Sequence, residues 1–314
     1  MNRIPVGISA CLTGQEVRHD GGHKHSGYCT GTLSQYFEFR PLCPEAGAGL
    51  GVPRPAMHLQ QDEDVVRLVT VRGGEDRTAE LDAWIRSALP GLEDLRGFIL
   101  TPRSPSCGLE RIRVYDGEGN VQRRDASGLF ADALRRHYPL MPLEESGRLN
   151  DEGLRENFIE RVFLFDDWMN MRASGLTPGA LIDFHTRHKF QLLAHCQKTY
   201  RRLGPLLADL RAAPLEEIAD RYIGEVMVAM SRKVSRGDHV NAMQHLAGFV
   251  SRHLVFEERR VLDEQIQAYY RGEVPLVVPM TLLRMAQRRQ PVAYLEKQEY
   301  LRPYPDALGL RNEL

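Results

Sequence analysis

The stretch Phe98-Ile-Leu-Thr-Pro-Arg-Ser104-Pro-Ser-Cys107-Gly108 passes from an apolar, strand-like run into a loop rich in proline and serine, with a thiol at the junction. Two earlier stretches repeat the pattern, Pro5-Val-Gly-Ile-Ser-Ala-Cys11 and Phe37-Glu-Phe-Arg-Pro-Leu-Cys43-Pro44-Glu45. In an open α/β sheet, ligands bind outside the carboxyl ends of the strands, so three such junctions on neighbouring parallel strands converge on one point. Three thiolates at one point indicate a metal. Zinc fingers draw their ligands in close pairs, which this chain lacks. Three single thiols on separate loops fit a cluster or catalytic metal with one coordination position left open. The competing reading is three small buried hydrophobes, since free cysteine is among the most buried residue types. Spacing alone leaves both readings open. Cys29, in a Gly-Tyr-Cys-Thr-Gly turn, and Cys196, within a helical pattern, read as structural.

Outward from these junctions the first part of the chain alternates β-like and helical patterns. Val65 to Val71 is rich in β-branched residues, and Arg111 to Tyr115 alternates with period two before an Asp-Gly turn. Thr78 to Leu89 reads as a helix with Leu81, Trp84, Ile85, Ala88 and Leu89 on one side, and Ser127 as the cap of a second helix through His137. From Asn150 the period turns helical. Leu154, Phe158, Val162 and Phe165 recur behind an Asn150 cap, Ser174-Gly175 ends that helix, and Thr177-Pro178 starts the next, predicted to run to Gly204. Further helices are predicted over Leu215 to Ser235, Val240 to Tyr270 and Thr281 to Arg289, the last preceded by the proline-bearing run Val274 to Pro279. The expected fold is α/β: a Rossmann-like open-sheet domain over 1–145 that carries the cysteines, a helical connector over 146–180, and a mainly α-helical domain over 181–314.

The 314 residues suffice for two cores, and a composition of 42% hydrophobic and 26% charged residues is ordinary for a globular chain. The net charge of -1 requires any nucleic-acid affinity to come from a local basic face. No basic and apolar leader and no membrane-length apolar run is visible, so a soluble, cytoplasmic protein is expected. Five widely spaced cysteines then read as reduced thiols rather than a disulfide framework.

Glu45 follows Cys43 with only Pro44 between, which stiffens the loop and holds a carboxylate beside the thiol, where it can serve as general base for a water. Ser104 precedes Cys107 by three residues and can act as donor or proton relay at the same metal. Taken singly, a loop salt bridge and a turn-stabilising hydroxyl explain the two as well. Gly47-Ala-Gly49-Leu-Gly51 superficially suggests a dinucleotide loop, but it reads better as backbone closely approaching the pocket. Arg18 and Arg54, on loops near Cys11 and Cys43, are candidates for a substrate phosphate.

Ser9-Ala-Cys11-Leu, Val17-Arg18-His19-Asp20-Gly21-Gly22, Cys43-Pro44-Glu45 with Gly49-Leu-Gly51-Val-Pro-Arg54, and Ser104-Pro-Ser-Cys107-Gly resemble, in order, the motifs of TudS-type thiouracil desulfidases. The resemblance spans about residues 4 to 140. It implies that Cys11, Cys43 and Cys107 hold a 4Fe-4S cluster with one open iron, and that Glu45 and Ser104 take part in catalysis. It departs at Leu100-Thr-Pro-Arg103, where a lysine-bearing stretch is expected and Arg103 stands in for it. Further on, His185-Thr-Arg-His188-Lys189, Ala194-His195, Leu203-Gly204, Val274 to Pro279, Thr281-Leu-Leu and Tyr300 to Pro305 resemble the YbgA-type C-terminal domain. The two domains in this order are similar to the RudS-type desulfidases, which implies 4-thiouridine in tRNA as substrate.

On the helix predicted from Pro178 to Gly204, Arg187, Lys198, Arg201 and Arg202 fall on one side, a basic face suited to an RNA backbone. Residues 181–314 hold 20 Lys and Arg against 16 Asp and Glu. The plain alternative is a solvated helix surface. His185, His188 and His195 offer a weaker reading as zinc ligands. Softness favours desulfidation: a thiocarbonyl sulfur binds iron of a sulfide-rich cluster more readily than a carbonyl oxygen does. The expected reaction is a non-redox, hydrolytic removal of sulfur, with tRNA or a thiolated uracil nucleotide as partner. Rival readings are a non-catalytic RNA-binding protein with a structural metal and a persulfide sulfur transferase.

Overall fold

The computed structural model describes residues 3–289 and 291–312 and divides into two compact units, Met1–Asn150 and Asp151–Leu314. In the first, the strands are β1 (Ile4–Ser9), β2 (Phe37–Leu42), β3 (Met57–Asp62), β4 (Val65–Thr70), β5 (Phe98–Leu100), β6 (Ile112–Tyr115), β7 (Val121–Ala126) and β8 (Leu143–Glu145). The helices are α1 (Pro44–Gly47), α2 (Thr78–Ala88) and α3 (Leu129–His137). One sheet, ordered β2-β1-β5-β8, is parallel throughout. β1 lies inside it and is almost wholly buried, as a strand covered on both faces must be. Gly7 is required there, because a Cβ would stand 2.2 Å from the Phe98 ring of the neighbouring strand.

The strands expected near Val65 and Arg111 form, but in a second sheet, ordered β4-β3-β6-β7. Two of its members are missing from the sequence reading, β7 and β3; the latter, Met-His-Leu-Gln-Gln-Asp, has polar residues with little strand propensity. Pairing with β4 from Met57↔Thr70 to Asp62↔Val65 supplies what propensity does not. α2 forms as expected with Leu81 and Ile85 buried. Ser127 does not cap α3. Its hydroxyl donates to the Leu109 carbonyl at 2.8 Å, and Gly128 takes the cap position. The first amides of α3 are received instead by the cysteine loop, Leu129 N–H by Pro105 O at 3.1 Å, and Phe130 and Ala131 N–H by Ser106 O at 2.9 and 3.2 Å.

The second unit contains α4 (Glu152–Ala173), α5 (Pro178–His195), α6 (Gln197–Ala208), α7 (Leu215–Met230), α8 (Arg236–Val250), α9 (Phe256–Arg271), α10 (Val277–Arg289) and α11 (Ala293–Glu296). The helix read as a connector, α4, groups with this unit. Its cap is Asp151, whose side chain accepts from Leu154 N, rather than Asn150. Thr177 and Pro178 start α5 as expected, the Thr177 side chain accepting from Ala180 N. The predicted single helix to Gly204 is two helices, because Cys196 takes an extended conformation (φ -159, ψ 94) between α5 and α6. The span from Val240 to Tyr270 is likewise divided, by a 3-10 turn at Ser251–His253. α10 begins at Val277, before the predicted Thr281, with Pro279 inside its first turn, where proline is tolerated. α8, α9 and α10 contribute to one apolar core through Met243, Leu246, Ile266, Met280 and Leu283. Among the described residues no helix is long and apolar enough to cross a membrane.

Candidate active site

The parallel register brings the ends of β1, β2 and β5 together. Ser9 pairs with Leu42, and Gly7 and Ile8 pair with Phe98 and Ile99. Cys11 lies in the 3-10 turn that follows β1, Cys43 directly follows β2 and starts α1, and Cys107 closes the loop after β5. All three are free and line one cavity of about 370 Å³, together with Glu45, Arg54 and Ser104. Strand ends rather than a ligand-pair motif therefore assemble the thiols.

Burial raises the pKa of each of these thiols. In Cys107, raised well above the usual range, the neighbouring Glu45, Cys43 and Cys11 add to the effect of burial. Donors oppose this at every sulfur: the Thr101 side chain at Cys11, the amides of Ala46 and Glu45 at Cys43, and the Ser9 side chain at Cys107. Such hydrogen bonds support thiolates once a cationic group compensates their charge. Among the described residues no three His, Cys, Asp or Glu side chains come close enough to hold a single metal ion. The thiols instead surround a space, a donor set that fits a group several ångströms wide.

Glu45 is 9% exposed and held at both oxygens. Arg54 donates to Oε2 from Nε at 2.9 Å and from Nη2 at 2.5 Å, while Ser106 Oγ donates to Oε1 at 2.7 Å. Ser104 Oγ stands 3.5 Å from the same Oε1 and accepts from the amides of Ser106 and Cys107 at 3.2 and 3.1 Å. Ser104 thus staples the loop, as the turn-stabilising reading has it, and stands beside the carboxylate as well. Arg54 also donates to the Gly51 and Val17 carbonyls, at 2.8 and 3.0 Å, so what its geometry shows is a guanidinium that fixes Glu45 on the cavity wall. Ser106 was missed because only burial distinguishes it from Ser104; it is 0% exposed.

Arg18 and Arg103 line the same cavity, joined by His19 and Lys24, which the sequence did not single out. Arg103 is exposed and adopts a positive φ of 63°, uncommon for a residue with a side chain. Arg18 has a carboxylate neighbour, Asp20, at 3.7 Å.

The four cations assigned to an RNA face do not share one helix, since Cys196 divides them. Arg187 is bound by Asp167 at 2.7 Å, Asp183 at 3.0 Å and Glu299 at 3.3 Å. Arg202 pairs with Glu225 at 2.7 Å, while Lys198 and Arg201 are exposed. The three histidines do not converge as zinc ligands either. His185 meets the Tyr222 hydroxyl at 3.2 Å, His188 lies between Asp167 and Gln191, and His195 between Glu160 and the Arg232 carbonyl. Cys29 is fully buried, as a structural thiol should be. Cys196 is not inside a helix but at the start of α6. Burial raises its pKa, and hydrogen bonds from Thr199 and Arg232 outweigh that, lowering it overall.

Comparison with known proteins divides the chain similarly. Residues 6–146 match the family 2-thiouracil desulfurase, and residues 189–305 match DUF1722, a protein family of unknown function. The chain is 33% identical over 165 residues, 52% of its length, to "Uncharacterized protein YbgA" of Escherichia coli K12, of which it covers 98%. A solved structure of the 4Fe-4S-dependent thiouracil desulfidase TudS is 31% identical over 48% of the chain and 95% of that structure, with a TM-score of 0.39. The chain therefore belongs to the YbgA family, and its residues 6–146 match the 2-thiouracil desulfurase family model.

Proposed function

We propose that the protein is a cytoplasmic, iron-sulfur-dependent desulfidase that converts 4-thiouridine in tRNA to uridine and sulfide without net oxidation. The observation carrying this reading is the meeting of three strand-end thiols and Glu45 on one cavity. Cys11, Cys43 and Cys107 would hold a 4Fe-4S cluster, leaving one iron without a cysteine. When bound, it supplies a soft Lewis acid for a thiocarbonyl sulfur. Glu45 takes the proton of the attacking water at Oε1, the oxygen facing the Ser104 and Ser106 hydroxyls. Arg54 keeps the carboxylate in place throughout. Arg18, Arg103 and Lys24 offer positive charge to the phosphates flanking the base.

Anaerobically prepared protein should be coloured, contain about four irons per chain, and release sulfide from thiolated tRNA. Colourless protein with full activity overturns the cluster. Much higher kcat/KM on free 4-thiouridine monophosphate than on thiolated tRNA replaces the polynucleotide with the mononucleotide as substrate.

A further inference from the structure

The turn after Cys11 carries a ring that the proposed chemistry does not use. In Val17-Arg18-His19-Asp20-Gly21-Gly22 the backbone folds back on itself: Gly21 N–H donates to the Arg18 carbonyl at 3.0 Å, and Arg18 N–H to that of Gly22 at 3.2 Å. Asp20 closes the turn through Oδ1, which accepts from Gly22 N–H at 3.1 Å, and Gly21 supplies the positive φ of 76° that the reversal needs. His19 therefore sits at the tip of a stiff turn, half-buried.

Arg54 fixes this turn at two points. Its amide donates to the His19 carbonyl at 2.9 Å and its Nη2 to the Val17 carbonyl at 3.0 Å. The same guanidinium holds Glu45 Oε2. One residue thus keeps His19 in register with the carboxylate assigned to the attacking water.

Of the described residues that line the cavity, His19 alone carries an aromatic ring. Among the described residues no hydrogen bond or ring contact engages its imidazole. The other flat groups on the wall are guanidiniums, and they differ from it: Arg54 is committed to Glu45, Arg18 stands 3.7 Å from Asp20, and Arg103 is exposed. A pyrimidine attacked at C4 receives the water on one ring face, which leaves the other face for a stacking partner. Aromatic side chains are the usual partners of unpaired bases, and an imidazole, with two side-chain torsions, is ordered at small entropic cost.

We infer that the His19 imidazole is the stacking surface for the pyrimidine ring of the substrate, holding one face while Glu45 serves the water on the other. The inference rests on the desulfidase reading and names the residue by which that site selects a flat heterocycle.

Steady-state kinetics of His19→Ala, His19→Phe and His19→Gln test it on thiolated tRNA and on 4-thiouridine 5′-monophosphate. Iron content is measured for each variant, and calorimetric titration with uridine 5′-monophosphate gives a reading that needs no turnover. In His19→Ala, KM and the dissociation constant of the product nucleotide should each rise about tenfold, the size of one base–aromatic stack, while kcat changes by less than about twofold. Its iron content should match that of wild type. His19→Phe keeps a ring and should restore both constants; His19→Gln keeps a hydrogen-bonding side chain without a ring and should behave as the alanine variant does. Unchanged KM and affinity in His19→Ala, or a defect rescued by glutamine and not by phenylalanine, overturns the stacking role and leaves desulfidation standing. Iron lost from His19→Ala and His19→Phe alike makes the residue a support of the cysteine site and overturns the role as well. Wild-type protein that releases no sulfide from either substrate removes the desulfidase reading, and the inference with it.

Discussion

Glu45 is the residue on which most of the proposed chemistry turns, and its surroundings separate its chemistry from its support. Glu45→Ala removes the base and leaves all three thiols, so it should retain iron and colour while kcat falls about 10²- to 10⁴-fold; unchanged turnover excludes the assigned role. Ser106→Ala deletes the 2.7 Å hydrogen bond to Oε1. It should lower kcat about tenfold with little change in KM and no loss of iron, the size of one hydrogen bond to a charged group. Arg54→Ala leaves the buried carboxylate unpaired and should cost about 3–5 kcal/mol of stability in urea unfolding. The sequence pointed to Glu45, Ser104 and the cysteines because each sits beside a strand end or a proline. It did not show that Arg54 holds Glu45, since an arginine that binds a phosphate and one that fixes a carboxylate are the same letter. Only the fold, which sets Arg54 against Glu45 nine residues away, tells them apart.

Among the elements, α3 governs the cysteine loop through its backbone. Gly128, at its cap, lies so close that a Cβ would stand 2.5 to 2.9 Å from the backbone of Ser106 and Cys107. Since backbone cannot move aside as a flexible side chain does, Gly128→Ala should displace Cys107 and lower iron content relative to wild type prepared in parallel. Equal iron content shows that the loop can shift without cost to the site. This relation was not legible in the sequence, where Ser127 offered a more conventional cap. The α5–α6 break was hidden for a related reason: the residues around Cys196 keep a helical apolar period, and only φ and ψ reveal the interruption. By contrast Thr177-Pro178 and Ser174-Gly175 were readable, because cap and terminator preferences act locally.

At the scale of the whole molecule, the two units should differ in their response to solution conditions. In the helical unit, burial pushes His239 down to about 3 and His185 down to about 4 from the usual 6.5. Their unfolded forms therefore bind protons that the folded forms refuse. The stability gained from keeping them neutral is complete above about pH 6.5 and is lost as pH falls toward 3 or 4. Circular-dichroism melts of the intact protein should show a falling helical midpoint between pH 6.5 and 4.5, reduced in His239→Gln; a flat profile removes these imidazoles from the account. If tRNA is the substrate, Lys198→Glu combined with Arg201→Glu should reduce kcat/KM on thiolated tRNA about tenfold and leave mononucleotide turnover unchanged. Equal losses on both substrates place the defect elsewhere. The parallel sheet also sets a schedule for the first unit during synthesis. Its β2-β1-β5-β8 order seats the strand leading to Cys107 between β1 and β8, and Glu145, at the end of β8, accepts the Leu109 amide at 2.8 Å. Cys11 and Cys43 thus leave the ribosome 134 and 102 residues before Glu145, the end of the segment that completes their surroundings. For that interval they are unprotected thiols, and a cluster of the kind proposed would be loaded only after residue 145 has emerged and the last strand has paired.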